Sequence, residues 1–195
     1  QEHITMLRES IRRMLERHAT REMMAKWDEE DKVPRSLMEH ITALGVCGMT
    51  VPEEYGGLGR DILATMVTVE ELSRRSMVIG TLYLMNSCYG SMNILASGSE
   101  AQKRALLPRL ANGELLFAYG LSEPDVGSDL ASVKTRAERR GDKVVVNGYK
   151  RWCSGAESAD YIYALVRSGD PDARYRNLSL VLIPPTAPGV TLTHI

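Results

Sequence analysis

The stretch FAYGLSEPDVGSDLASVKTRA, residues 117–137, crowds hydroxyls, carboxylates and a glycine into one short run. Ser122, Ser128 and Ser132 offer hydroxyls, and Asp129 adds a carboxylate, close to backbone N–H groups. Gly127 lets backbone approach a ligand with no Cβ in the way. Pro124 stiffens the turn. A loop of this kind can hold a pyrophosphate or the polar edge of a heterocycle without a helix dipole. The competing reading is a plain polar loop. A second group lies one hairpin later, in Trp152-Cys153-Ser154. An indole can lie against a flat conjugated system while a hydroxyl two residues on bonds to an edge atom. Taken alone, Trp152 more commonly reads as a half-buried strand residue.

Other chemistries find no support. His3, His18, His40 and His194 are scattered, and no HExxH, CxxC or carboxylate–histidine cluster points to a metal. There is no GxSxG elbow and no P-loop. The glycine-rich YGGLG does not follow a strand, so it reads as a tightly packed loop rather than a dinucleotide fingerprint. With 195 residues, 44% hydrophobic and 25% charged, the composition is that of a globular chain with a sizeable core. A net charge of −1 gives no field toward nucleic acid or anionic lipid. Cys47, Cys88 and Cys153 are too few and dispersed for a disulfide framework, and a reducing compartment, cytoplasm or mitochondrial matrix, is expected. The chain opens on Gln1 without a leader pattern, and APGVTLTHI stops inside a strand-like alternation, so the natural protein is expected to continue past Ile195.

The elements that must position these residues fall into two halves, an α+β arrangement with helices first. Residues 1–115 read as a helical domain and 116–195 as a β domain. Ile4, Leu7, Ile11, Met14 and His18 follow helical spacing. VPRSLMEHITALG opens near Pro34 and closes at Gly45. ILATMVTVEELSRRS resumes the helical period, and SEAQKRALLPRLANGE is a further helix capped by Ser99 and ended by Gly113. Residues 76–99 carry no charge and are long enough to span a bilayer. Asn86, Ser87, Ser91 and Asn93 lie in their middle, however, which favours a buried helix or helix pair. On a regular helix Thr81, Met85, Cys88 and Met92 share one face, either plain core or an adaptable apolar wall. KVVVNGYKRWCS, ADYIYALVRS and LSLVLIPP read as strands, and RRGDK as a hairpin turning at Gly141-Asp142.

YGLSEPDVGSDL resembles the TEPxxGSD signature of the acyl-CoA dehydrogenase family, and VNGYKRWCSGAESAD resembles its NGxKxWITNA strand. VPEEYGGLG and GSEAQKRALLPRLANGE are similar to two further family segments, and all four occur in family order. The resemblance implies an all-α domain followed by an antiparallel, barrel-like β domain, with FAD bound between them. It implies that Tyr119, Leu121, Ser122, Gly127 and Ser128 belong to the flavin-binding run. Leu121 and Ser122 then face the pyrimidine side of the ring, and Gly127 and Ser128 the pyrophosphate. Trp152 takes the place of the residue packing on the isoalloxazine, with Cys153 beside it and Ser154 where a hydroxyl bonds flavin N5. Ser128 also meets the acyl-CoA, and Thr81 and Met85 border its acyl tail.

The implied reaction is α,β-desaturation of an acyl-CoA thioester, with electrons passing to electron-transfer flavoprotein. Acyl-CoA oxidases and flavin monooxygenases share the architecture and remain alternatives. A non-catalytic flavin- or acyl-CoA-binding half-subunit is a third. The family base, a Glu in a C-terminal helical domain, has no counterpart among these residues, and Glu53, Glu70, Glu71 and Glu123 are not candidates. A homo-oligomer, dimer or tetramer, is implied as well. Ser122 and Ser154 stand where the family more often has Thr, which keeps the hydroxyl but loosens the rotamer.

Overall fold

The computed structural model describes residues 2–30, 32–170, 173 and 175–193. Three expectations lie at least partly outside that range: the polar loop through Pro171, Asp172 and Arg174, the placement of His194, and the alternation running to Ile195. Two units form, Gln1–Leu116 and Phe117–Ile195.

The helical unit comprises α1 (Glu2–His18), α2 (Arg21–Glu29), α3 (Leu37–Thr42), α4 (Ile62–Arg75), α5 (Met77–Asn86), α6 (Asn93–Ser97) and α7 (Glu100–Ala111). Short polar side chains cap the starts of α2, α4, α5 and α7. Asp61 accepts from the Ala64 amide at 2.9 Å, and Ser99 and Gln102 form a reciprocal capping box. Helix α7 stops at Asn112, followed by Gly113 at φ 67, as the sequence indicates. Helix α1 buries Ile11, Met14 and Leu15 and packs on α4. Helix α3 is only six residues long, shorter than its apolar pattern predicts. The loop at YGGLG is held by close backbone packing: a Cβ on Gly57 would lie 1.9 Å from the Val51 carbonyl oxygen.

The uncharged segment is helical from Met77 to Ser97, but Ser87–Met92 is wound as a π turn between α5 and α6. Its buried polar groups explain the wide turn. The Ser91 hydroxyl donates to the Ser87 carbonyl at 2.6 Å and shares a 2.7 Å bond with Thr50 Oγ1. Asn86 Nδ2 donates to the carbonyls of Leu110 and Leu115, at 2.9 and 3.0 Å, on either side of the end of α7. The wider turn corrects the expectation of a common face, because α-helical spacing no longer holds beyond Asn86 and carries Cys88 and Met92 out of phase with Thr81 and Met85. Among the described residues no helix is long and apolar enough to cross a membrane.

The second unit is a five-stranded sheet of β1 (Phe117–Gly120), β2 (Arg136–Arg140), β3 (Lys143–Asn147), β4 (Tyr161–Arg167) and β5 (Leu178–Ile183). The path runs β1-β4-β2-β3, with β5 against β4. The Arg140↔Lys143 register leaves Gly141-Asp142 as the hairpin tip, with Gly141 at φ 66. Helices and strands segregate as the sequence indicates, but the sheet is mixed rather than antiparallel, and among the described residues no pairing closes it into a barrel. Strand β1 runs parallel to β4. The long excursion through residues 121–160 supplies the crossover that parallel pairing needs. Phe117 and Tyr161, and Tyr119 and Tyr163, are register partners whose rings meet at 5.4 and 6.2 Å.

Candidate functional site

Strand β1 delivers the chain at Gly120 into the run 121–135, and the β unit fixes this run at both ends. Glu123 closes a tight turn on itself: its N–H donates to the Val126 carbonyl at 2.8 Å, and the Val126 N–H returns to the Glu123 carbonyl at 3.1 Å. The Glu123 carboxylate then turns inward, 6% exposed. It accepts from the amides of Lys134 and Thr135 at 2.7 and 2.9 Å, from the Thr135 hydroxyl at 2.6 Å and from Lys150 Nζ at 3.0 Å. Burial pushes this carboxyl up, but the Thr135 hydroxyl, the two amides and Lys150 outweigh it and hold it at about 2. At the far end Arg167 of β4 donates to the carbonyls of Ala131 and Val133, at 2.6 and 3.1 Å. The tip between these fastenings, Gly127-Ser128-Asp129, is exposed. Nothing lies within 4 Å of a Cβ built on Gly127. Asp129 and Ser132 bond to each other at 2.5 Å across the tip.

The same network brings in the second group. Lys150 Nζ donates to the Leu121 carbonyl at 3.0 Å as well as to Glu123, and the Arg151 N–H donates to the Ser122 carbonyl at 2.9 Å. Leu121 and Ser122 therefore lie directly against the chain that leads into Trp152. Burial lowers Lys150 from its ordinary value more than Glu123 raises it. Burial likewise pushes the Cys153 thiol up, only partly offset by Lys150. Gly148 must lack a side chain, since a Cβ there would fall 2.2 Å from the Thr135 hydroxyl oxygen.

Trp152 is the sole non-glycine residue with positive φ among the described residues, at φ 63. For a bulky residue that conformation is an outlier, costing on the order of 1–3 kcal/mol unless its surroundings impose it. The indole is nonetheless 62% exposed, with the Arg151 guanidinium 4.5 Å over the ring. Beyond it the Ala156 N–H donates to the Cys153 carbonyl at 3.1 Å, and Ser154 is exposed. An exposed flat ring, an exposed hydroxyl two residues on, and a tethered loop with an open glycine at its tip fit a large aromatic cofactor with an anionic tail.

Of the residues singled out from sequence, Leu121, Ser122, Trp152, Cys153 and Ser154 belong to one tethered assembly, with Gly127 and Ser128 at its free tip. Tyr119 sits half-buried in β1, ringed against Tyr163. Thr81 and Met85 belong to the helical unit: Thr81 is half-buried with its hydroxyl on the Met77 carbonyl at 2.9 Å, and Met85 is 2% exposed. Sequence reading missed Lys150, Thr135 and Arg167 as fasteners. The signal for Lys150 was its place two residues before Trp152, but its carboxylate partner is 27 residues away and nothing local announces it.

Residues 1–114 match the family model for the acyl-CoA dehydrogenase N-terminal domain, and residues 118–195 match that for the acyl-CoA dehydrogenase middle domain. The chain belongs to the acyl-CoA dehydrogenase family. It is 35% identical over 181 residues to (2S)-methylsuccinyl-CoA dehydrogenase of Cereibacter sphaeroides, an alignment covering 93% of this chain and 33% of its relative. A glutaryl-CoA dehydrogenase from Mycobacterium smegmatis, solved in complex with FADH2, superposes with a TM-score of 0.85 at 28% identity, over 100% of this chain and 48% of that one. A chain of the ChsE4-ChsE5 complex from Mycobacterium tuberculosis does so at 0.80 and 32%, over 97% and 49%. The chain thus spans about a third to a half of the length of the curated relatives it matches.

Proposed function

We propose that these residues form the flavin-facing part of an FAD-dependent acyl-CoA dehydrogenase, which desaturates an acyl-CoA thioester at the α,β position and passes electrons to electron-transfer flavoprotein. The observation that carries the reading is the 2.9 Å bond from the Arg151 amide to the Ser122 carbonyl, which joins the two signature segments into one surface. The FADH2 named for the glutaryl-CoA dehydrogenase relative supports the choice of cofactor. When bound, FAD supplies the acceptor for the hydride leaving the β-carbon.

The chain's own residues bind and orient. Gly127 and Ser128 offer an unobstructed backbone and a hydroxyl to the pyrophosphate. Leu121 and Ser122 meet the ring edge, Trp152 stacks on the ring with Cys153 beside it, and Ser154 donates to an edge nitrogen. Tyr119 backs the run from β1. Ser128 also serves the acyl-CoA, and Thr81 and Met85 border the acyl chain. Neither buried carboxylate suits the α-proton, because Glu71 and Glu123 are both fully engaged and held at about 2, too weakly basic for general-base work near neutral pH. The base comes from outside these residues. A homo-oligomer is part of this reading. The similarity to a chain of the ChsE4-ChsE5 complex favours a second one, in which an unlike subunit completes the site.

The test is Trp152→Ala in the full-length protein. Folding persists, FAD retention falls by roughly the tenfold that a stacked aromatic contact contributes, and the visible flavin spectrum shifts. Full flavin content with an unchanged spectrum would remove the stacking role.

A further inference from the structure

We propose that the Lys150–Glu123 pair is a positioning device that locks Trp152 in its left-handed backbone conformation and so presents the indole outward to a flat conjugated ligand. The inference rests on the flavin reading for the identity of that ligand, though not for the device itself.

The conformation of Trp152 needs a cause, and its side chain does not supply one. The ring is 62% exposed and meets the guanidinium of its own neighbour, Arg151, so little buried packing compensates a positive φ. The cause lies in the backbone on either side. Upstream, Lys150 reaches the Leu121 carbonyl and Glu123, and the Arg151 amide reaches the Ser122 carbonyl. Downstream, the Ala156 amide closes a turn on Cys153, and Gly155 stands at φ 75. With both flanks fastened, the change of direction falls on Trp152 and Gly155, and Trp152 is the non-glycine of the two.

Among these fastenings Lys150 is the one whose side chain is committed. The side chains of Lys150 and Glu123 are only 12% and 5% exposed. Glu123 is itself immobile, gripped by two amides and a hydroxyl. Lys150 is therefore tied to a rigid point, and through it the direction of Trp152 and Ser154 is tied to the run at Leu121–Ser122. Without that tie φ relaxes to negative values, the Cα–Cβ bond of Trp152 swings, and the stacking face is lost while the fold remains.

Lys150→Met alone strands a buried carboxylate and can unfold the unit. The informative variant is therefore Lys150→Met with Glu123→Gln, which removes both charges and keeps one acceptor oxygen for the Thr135 amide and hydroxyl, while its NH2 faces the Lys134 amide. Its urea midpoint is expected below the parent's, with a single cooperative transition showing that the unit still folds, and binding is compared where both proteins are folded. In the apoprotein with Trp27 and any tryptophan other than Trp152 replaced by Phe, the emission of Trp152 shifts and its anisotropy falls. The dissociation constant for FAD, read by quenching of flavin fluorescence, rises about tenfold. In a Trp152→Ala background the same pair of changes adds no further loss, since residues acting through one another are non-additive. An unchanged Trp152 anisotropy, or an equal loss of FAD affinity with and without the indole, overturns the proposal. Should Trp152→Ala leave FAD binding intact, the flavin reading falls, and the anisotropy measurement still decides whether the device exists.

Discussion

Two buried carboxylates, one in each unit, reach the same ionisation by different means. Glu71 on α4 is 2% exposed and is met by Arg8 and Arg12 of α1 and by Arg74. Arg12 is the largest influence and with Arg8 outweighs burial, holding the carboxyl at about 2. Glu123 reaches the same value mainly through a hydroxyl and two backbone amides, with Lys150 as its one charged partner among the described residues. The arginine heads around Glu71 stay partly in water. The groups around Glu123 have no such recourse. The first arrangement staples two helices and tolerates change, whereas the second gives a loop its shape and does not.

The largest effect that can break this comparison is truncation. Glu123→Ala leaves the Lys150 ammonium with the Leu121 carbonyl but without its counter-charge, takes the acceptor from the amides of Lys134 and Thr135, and is expected to cost about 3–5 kcal/mol. Glu71→Ala lets its arginines rehydrate and is expected to cost about 1–2 kcal/mol. Urea unfolding of the two variants measures the difference, and equal losses would erase the distinction.

Acid titration comes next. Each carboxyl has a folded value near 2 against an ordinary 4.5. Each contribution is therefore fully present above about 4.5 and is lost as pH falls toward 2. Glu71→Gln should flatten the fall in stability across that window relative to the parent, and a melting series between those limits shows whether it does.

The smallest expected effect on stability sharpens the comparison most. A Cβ on Gly127 meets nothing within 4 Å. Gly127→Ala should change stability by no more than about 0.5 kcal/mol while weakening FAD binding severalfold. Thermal melting and flavin titration on one sample separate the two, and an unaltered affinity would mean that the tip of the loop does not touch the cofactor.

Much of this was legible in the residues themselves. The capping box at Ser99, the stop at Gly113 and the Gly141-Asp142 hairpin are local events, written in side chains a few positions apart. So was the candidate surface, because its hydroxyls, glycine and indole are unusual together. What stayed hidden depends on distance. Strand β1 has four residues, none exposed and without alternation, so only its pairing with β4 reveals it. The π turn follows from Asn86 meeting the end of α7, and the tether of Trp152 from a lysine and a carboxylate 27 residues apart.

The π turn also bears on length. A π turn takes in one residue more per hydrogen bond than an α turn, and one residue corresponds to about 100° of helix rotation. Everything from Asn93 onward is therefore phased by that surplus residue, including Ile94, which is 4% exposed. The number of residues between Asn86 and Ile94 is thus set by the demand that both be buried, one bonded to the end of α7 and the other in the core. It is a constraint on chain length that the hydrogen bonding of an ordinary helix would not impose.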